Sequence, residues 1–377
     1  MTHVWAVIAV ASAAAIVTLL LGDRLRRRRD EAQAYLKGVR SVISGDPDAA
    51  IEALSDAARL GSPEAVETYL ALGALFRREG DLARAVRLHR NMLLGPNLPA
   101  ARRPEVEREL AEDYRRSGML AEAAEIYERL GPSDRLATIG LRDVRTEQGE
   151  LAAAVALQRR LGSPAEEPQE GGEAGQDSIL AHLLAAQARS VLPREAQRAR
   201  ALAGEALEAC PGSADAWLAM AEAEGAGGQP AAALESVRRA LEADPRAAAQ
   251  AWPGLEAAVD REGGVRLVEE LLAARPEDAE LHVLHARALD RAGRRPDAFL
   301  ALRRALDLDR SGEVTFSLRE LLRSEQTAGP DDLVARHDLL VAALLRRGRA
   351  PRCGRCGSDA PARSWRCRRC GAFDSFA

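Results

Sequence analysis

A chain of 377 residues, 47% hydrophobic and 29% charged, is long enough for two or three domains or one repeat array, and too apolar to be disordered throughout. Aromatic residues make up only 3%, which disfavours a sheet sandwich; the alanine-rich stretches suit closely packed helices. The net charge of −4 excludes a polycation built for nucleic acid, and the one lysine, Lys37, lies in no Gly-rich loop, which excludes a P-loop.

The first element is an apolar run. Val4 to Leu21 carries no charge, and a helix of that length reaches roughly 27 Å, enough for a bilayer core. Asp23 and the cluster Arg24, Arg26, Arg27, Arg28 and Arg29 follow at once. A signal peptide would carry its positive charge before the run, and Ala13-Ala14-Ala15 is a poor cleavage site inside it, so the alternative of a cleaved export signal is the weaker one. The positive-inside rule places the C-terminal side in the cytoplasm, and Trp5 suits the opposite interface. The expectation is a transmembrane anchor over 1–22 and a basic juxtamembrane segment over 23–34.

From about residue 35 to 348 the chain reads as short amphipathic helices in pairs. Glycine stands at the turn inside a pair, and Pro or Asp-Pro often closes it. The clearest unit runs from Ala214 to Pro245, with Trp217, Met220 and Ala221 on its first helix and Gly227-Gly228 at the turn. Ala233, Val237 and Ala240 mark its second helix, and Asp244-Pro245 stop it. The preceding unit ends at Pro211, which gives the 34-residue period of a tetratricopeptide repeat. Tyr69, Leu72, Gly73, Phe76, Gly80 and Ala85 form a similar set. So do Leu110, Ala111, Tyr114, Gly118, Ala123 and Tyr127, and later Gly293, Ala298, Leu302 and Ala305. Gly149 with Ala154, and Gly264 with Leu271 and Pro276, mark weaker units, and Tyr35 to Leu60 reads as the first. About eight pairs are expected. One hairpin cannot bury its apolar face, so neighbours stack into a superhelix whose long concave surface binds proteins or peptides rather than catalysing. The Gly-, Glu- and Pro-rich stretch 162–177 reads as a flexible loop between hairpins.

No H-E-x-x-H, G-x-S-x-G or G-x-x-x-x-G-K-[ST] motif occurs, and no enzyme activity is expected. Among the six histidines, His282 and His285 share a helix face and read as core packing rather than a second metal site. Cys210, just before Pro211, reads as a buried structural thiol.

The other four cysteines lie in the tail, 349–377: Cys353-Gly-Arg-Cys356-Gly357, then, after the ten residues from Gly357 to Arg366, Cys367-Arg-Arg-Cys370-Gly371. Two C-x-x-C pairs supply four thiolates that can close a tetrahedron around zinc or iron, and each following glycine suits a turn whose N–H groups point at sulfur. So short a segment cannot bury enough surface to fold alone, so metal binding would supply much of its folding energy. The metal ligands are expected to be Cys353, Cys356, Cys367 and Cys370. Residues 346–370 also hold nine arginines against one acidic residue, Asp359. Charge compensation of the thiolates is the first reading, and contact with anionic lipid or an acidic partner the second. Nucleic acid comes last, because Trp365 is the one ring in the stretch.

The order of parts resembles the lipopolysaccharide assembly protein B family, and the specific resemblance is in the tail. Cys353, Cys356-Gly357, Trp365, Cys367 and Cys370 keep the order of that family's C-x-x-C-G … W-x-C-x-x-C signature, with Phe373 near the place of its closing tryptophan. The resemblance implies an all-α tetratricopeptide superhelix behind one membrane span, ending in a rubredoxin-like or zinc-ribbon knuckle that Trp365 braces. It further implies a single-pass inner-membrane adaptor, most of it cytoplasmic, with one zinc or iron ion and no small-molecule substrate. Its protein partners would be a membrane AAA protease, the deacetylase of lipid A synthesis that it presents to that protease, and other envelope-assembly proteins. The alternative is an envelope-assembly scaffold without a role in proteolysis. An electron carrier is a third reading, disfavoured because no redox partner domain is fused. The knuckle follows the last helices closely, so it is expected to dock on them or on a held client.

Overall fold

The structure is a computed structural model that describes residues 63–95, 98–162, 175–258, 260–308, 351–360 and 364–376, with residues 18, 19, 22 and 26 near the N-terminus. Most of the expected span and basic segment, the expected first repeat, residues 163–174 of the expected loop and 309–350 lie outside the described residues. Among the described residues no helix is long and apolar enough to cross a membrane.

Fourteen α-helices are defined among the described residues, and packing divides the chain into two compact units, Met1–Gly149 and Glu150–Ala377. The first unit holds α1 (Pro63–Glu79), α2 (Leu82–Leu94), α3 (Arg103–Arg116), α4 (Leu120–Leu130) and α5 (Arg135–Glu147). The second holds α6 (Leu151–Leu161), α7 (Gln176–Val191), α8 (Ala196–Ala209), α9 (Ala214–Ala226), α10 (Pro230–Ala243), α11 (Ala248–Ala258), α12 (Arg261–Ala274), α13 (Ala279–Arg291) and α14 (Arg295–Leu308). Gln176 and Asp177, expected in the loop, form the first turn of α7.

Helix starts and stops follow from side-chain chemistry. The carboxylates of Asp81, Asp134, Asp260 and Asp278 and the hydroxyl of Ser213 each accept a hydrogen bond from a free N–H in the first turn of the helix that follows. The turn between α3 and α4 needs a left-handed residue, and Gly118 supplies it at φ 78°, so that Met119 N–H can donate back to Tyr114 O at 2.9 Å. Gly80, Gly149, Gly228 and Gly293 also take positive φ at expected turns, whereas Gly264, expected to mark a weaker unit, is buried inside α12.

Within each unit, packing is helix on helix with alanine at the crossings. Ala85, Ala111, Ala123 and Ala137 are fully buried in the first unit, as are Ala181, Ala203, Ala216 and Ala240 in the second. Without long side chains between them, backbones approach and the flanking Leu and Val fill the grooves. Gly73 is the extreme case: a Cβ there would stand 2.3 Å from His89 Nε2 on α2. The first helices of successive hairpins also touch each other, α1–α3–α5 in the first unit and α7–α9–α11–α13 in the second. Each unit thus presents a continuous row of first helices, the surface a tetratricopeptide array uses for binding.

Two expectations need correction. His282 and His285 are half-buried rather than core residues: His282 Nε2 lies 2.9 Å from Pro276 O, and His285 Nε2 lies 3.5 Å from a Glu269 oxygen. The interior positions on that helix belong to Leu281, Val283, Leu284, Ala286, Ala288 and Leu289 instead. Cys210, expected to be buried, is half-buried at the end of α8.

Candidate metal centre and its seat on the array

The tail makes two matching turns. Each begins with Arg-Cys and ends with Cys-Gly: Arg352-Cys353…Cys356-Gly357 and Arg366-Cys367…Cys370-Gly371. In each, the closing glycine takes positive φ (67° and 74°) and its N–H donates to the first cysteine's carbonyl at 2.8 Å. In each, the leading arginine donates from Nε to that glycine's carbonyl, at 2.8 Å for Arg352 and 3.2 Å for Arg366. Two of the nine arginines therefore close the turns, a structural task that composition alone did not reveal.

The turns bring four sulfurs together. Their Sγ atoms all lie within 4.8 Å of one another, with Cys353–Cys370 at 3.6 Å and Cys356–Cys367 at 3.8 Å. A tetrahedral ion with metal–sulfur bonds of about 2.3 Å sets sulfurs about 3.8 Å apart, so the spacing fits a metal ion. Among the described residues this is the one group of potential ligands so arranged, and no histidine belongs to it. Cys353, Cys367 and Cys370 are buried and Cys356 half-buried.

The environment is tuned for thiolate at one end. Burial pushes the Cys353 thiol up, but the Ser375 hydroxyl and the N–H groups of Cys356 and Arg355 outweigh it and bring the thiol to about 6. Burial also opposes ionisation of Cys367, yet the N–H groups of Cys370 and Arg369 and the Ser358 hydroxyl hold it below its usual value. Cys370 is pushed up, chiefly by burial. Ser375 Oγ lies 3.2 Å from Cys353 Sγ, and Ser358 Oγ 3.0 Å from Cys356 Sγ. Neither serine was singled out in the sequence, because a hydroxyl beside sulfur leaves no spacing signature.

The tail is seated on the second unit, on its row of first helices. Phe373 is buried among Val155 of α6, Ile179 and Leu183 of α7 and Ala216 of α9. Trp365, half-buried, packs against the cluster that contains Leu218 of α9 and Leu241 of α10. Between the two rings lies His182 of α7, with ring centroids 5.4 Å from Trp365 and 5.6 Å from Phe373. His182 Nδ1 faces Asp215 of α9 at 2.7 Å, and its Nε2 faces Asp374 of the tail at 2.8 Å. Asp374 also accepts from Ser178 Oγ at 2.7 Å, and Arg189 donates to Asp215 at 2.7 Å and to Glu222 at 3.0 Å. Burial alone would discourage the imidazolium, but hydrogen bonds to Asp215 and Asp374 outweigh it and raise His182 to about 9. At neutral pH a cation is therefore held between two carboxylates, one from the array and one from the tail.

Docking of the knuckle was expected on the last helices or on a held client, and the described residues show it resting on the second unit of the array. The described contacts are to α7 and α9 around His182, with Trp365 packed on a cluster that runs from α9 to α13; residues 309–350, just before the tail, lie outside the described residues. The matched chemistry of His182 and Asp374 contributes to this seat, and chain proximity does not encode it. Trp365, expected to brace the knuckle, faces outward to the array.

No protein-family model matches the chain. Lipopolysaccharide assembly protein B of Escherichia coli strain K12 is 23% identical over 361 residues, covering 93% of this chain and 91% of that protein. The protein of the same name from Haemophilus influenzae is 26% identical over 221 residues, 56% of this chain and 54% of that one. Among solved structures, a tetratricopeptide repeat protein from Parabacteroides merdae is 17% identical, covering 74% of this chain and 98% of that one with a TM-score of 0.38. Along nearly its whole length, then, the chain is similar to lipopolysaccharide assembly protein B, the resemblance its cysteine tail carries in the sequence.

Proposed function

We propose that the chain is a non-catalytic adaptor in lipopolysaccharide assembly, which binds proteins on its helical array and carries one zinc or iron ion on Cys353, Cys356, Cys367 and Cys370. The observation that carries this reading is the pairing of a protein-binding row of first helices with a four-cysteine tail, in a chain similar over 93% of its length to lipopolysaccharide assembly protein B. The metal supplies cross-linking energy to a segment too small to hold itself, and the chain's own groups do the rest. Glycine N–H groups shape the turns, the hydroxyls of Ser358 and Ser375 face sulfur, and Trp365 and Phe373 fix the knuckle to α7 and α9.

In the finer form of this reading, the run 4–21 holds the chain in the inner membrane with most of it cytoplasmic. The array then presents the lipid A deacetylase to a membrane AAA protease. A scaffold that only gathers envelope-assembly proteins is the second reading. Cross-linking in native membranes, followed by purification of the tagged chain and mass spectrometry, separates them. The adaptor reading expects both the deacetylase and the protease, and recovery of neither with other assembly proteins present would favour the scaffold.

A further inference from the structure

We infer that the inner row of α7 and α9 is a docking site built for the metal-loaded form of the second cysteine turn, with His182 as its recognition residue, so that metal occupancy in the tail is transmitted to the array. The inference rests on the reading above that the four cysteines bind a metal.

Among the described residues, the tail groups that meet the array around His182 are Trp365, Phe373 and Asp374, all of one stretch that contains two of the four sulfurs, Cys367 and Cys370. The stretch is held closed by Cys367 N–H to Ala372 O at 2.8 Å, Asp374 N–H to Trp365 O at 2.9 Å, and the antiparallel bridge between Arg366 and Phe373. These few bonds are local to a short segment, which makes them weak without a cross-link. Asp374 has φ 46°, the only non-glycine residue among those described with positive φ. That conformation is uncommon outside glycine, although aspartate adopts it more readily than most residues. It accompanies the contacts of the Asp374 carboxylate with Ser178 and His182. A released, unfolded turn has no reason to keep either the left-handed Asp374 or the spacing of the two rings that flank His182. The array side, by contrast, is prebuilt: Asp215 holds His182, and Arg189 holds Asp215, all within α7 and α9.

Thermodynamic reciprocity makes this testable: if metal promotes docking, docking must tighten metal binding by the same factor. The experiment uses the full chain in detergent, titrated with zinc against a chromophoric chelator, and follows hydrogen exchange in peptides covering 176–191, 214–226 and 364–376. Three forms are compared: unchanged, His182→Ala and Asp374→Asn. The second variant alters only the tail side, so a folding defect of α7 cannot explain its result. Zinc removal should speed exchange of 364–376 and also of 176–191, while helices of the first unit stay unchanged. Both variants should still bind one zinc, but at least about 5-fold more weakly. If zinc binds yet neither exchange in 176–191 nor the variants' affinity changes, the inference fails and the metal reading stands. If the unchanged chain takes up no zinc or iron, the metal reading itself fails and the inference goes with it.

Discussion

His182 and Asp374 stand 192 residues apart in the chain and meet at 2.8 Å, imidazole to carboxylate, where the cysteine tail rests on the array. With the Ser178–Asp374 hydrogen bond and the packing of Trp365 and Phe373, this pair joins the cysteine tail to the helical row, and its charges set the pH range over which the joint holds.

The first consequence is a dependence on pH. His182 is raised to about 9 from an ordinary 6.5, so its contribution is complete below about 6.5 and is lost as pH rises through about 9. Asp374 works in the opposite direction: despite partial burial it is held below its ordinary value by His182, and it loses its contribution only in acid. The charged groups facing the pair are Asp215 and its partner Arg189, with Arg246 acting on Asp374. The alkaline loss amounts to roughly 3 kcal/mol. Near-ultraviolet circular dichroism of Trp365, isolated by subtracting a Trp365→Phe variant, should change with a midpoint near pH 9. A flat profile to pH 10 would contradict the assignment.

Asp374→Asn tests the tail side alone. Asparagine tolerates the left-handed backbone as aspartate does, so the change removes charge and little else. Because the Asp374 side chain is 36% exposed, solvent screening limits the cost to about 1–2 kcal/mol. Proteolysis of the tail should quicken while thermal unfolding of the first unit stays put; equal resistance in both forms would mean that Asp374 does not hold the tail down.

The cysteine cluster was legible because its signal is local: two C-x-x-C pairs and their glycines set the turns within a few residues of each other. The repeat pattern was legible for the same reason, through small residues at helix crossings and glycine at turns such as Gly118. His182 was not. Its partners lie 33 residues ahead in Asp215 and 192 ahead in Asp374, and a lone histidine on an alanine-rich helix has no periodic mark. Arg352 and Arg366 were hidden in an arginine-rich stretch whose bulk charge drew the reading away from their individual bonds.

Gly73→Ala probes the first unit without touching the tail. The new methyl would collide with the buried ring of His89, whose Nδ1 is fixed at 2.6 Å from Asp113, itself held by Arg77 at 2.7 Å. Neither side can yield easily, so stability should fall by about 1–3 kcal/mol. Differential scanning calorimetry should show this loss with metal content unchanged. An unaltered transition would mean that the helices separate at little cost.

Breaking the proposed four-cysteine metal site should split the behaviour of the chain. Cys356→Ser or Cys367→Ser should lower metal content and unfold residues 351–376. Helicity should persist, because the fourteen helices are packed on each other rather than on the knuckle alone. Atomic absorption and far-ultraviolet circular dichroism on the same samples check both halves. A double variant that kept one equivalent of metal would rule out this ligand set.

On the adaptor reading proposed above, the chain shortens the life of the lipid A deacetylase by presenting it to the protease. The most direct measurement is the half-life of the lipid A deacetylase after translation is blocked, in cells with the gene, without it, and with Cys367→Ser in its place. The half-life should be several-fold longer without the gene, with a similar lengthening for the cysteine variant. An unchanged half-life in cells lacking the gene would contradict that reading.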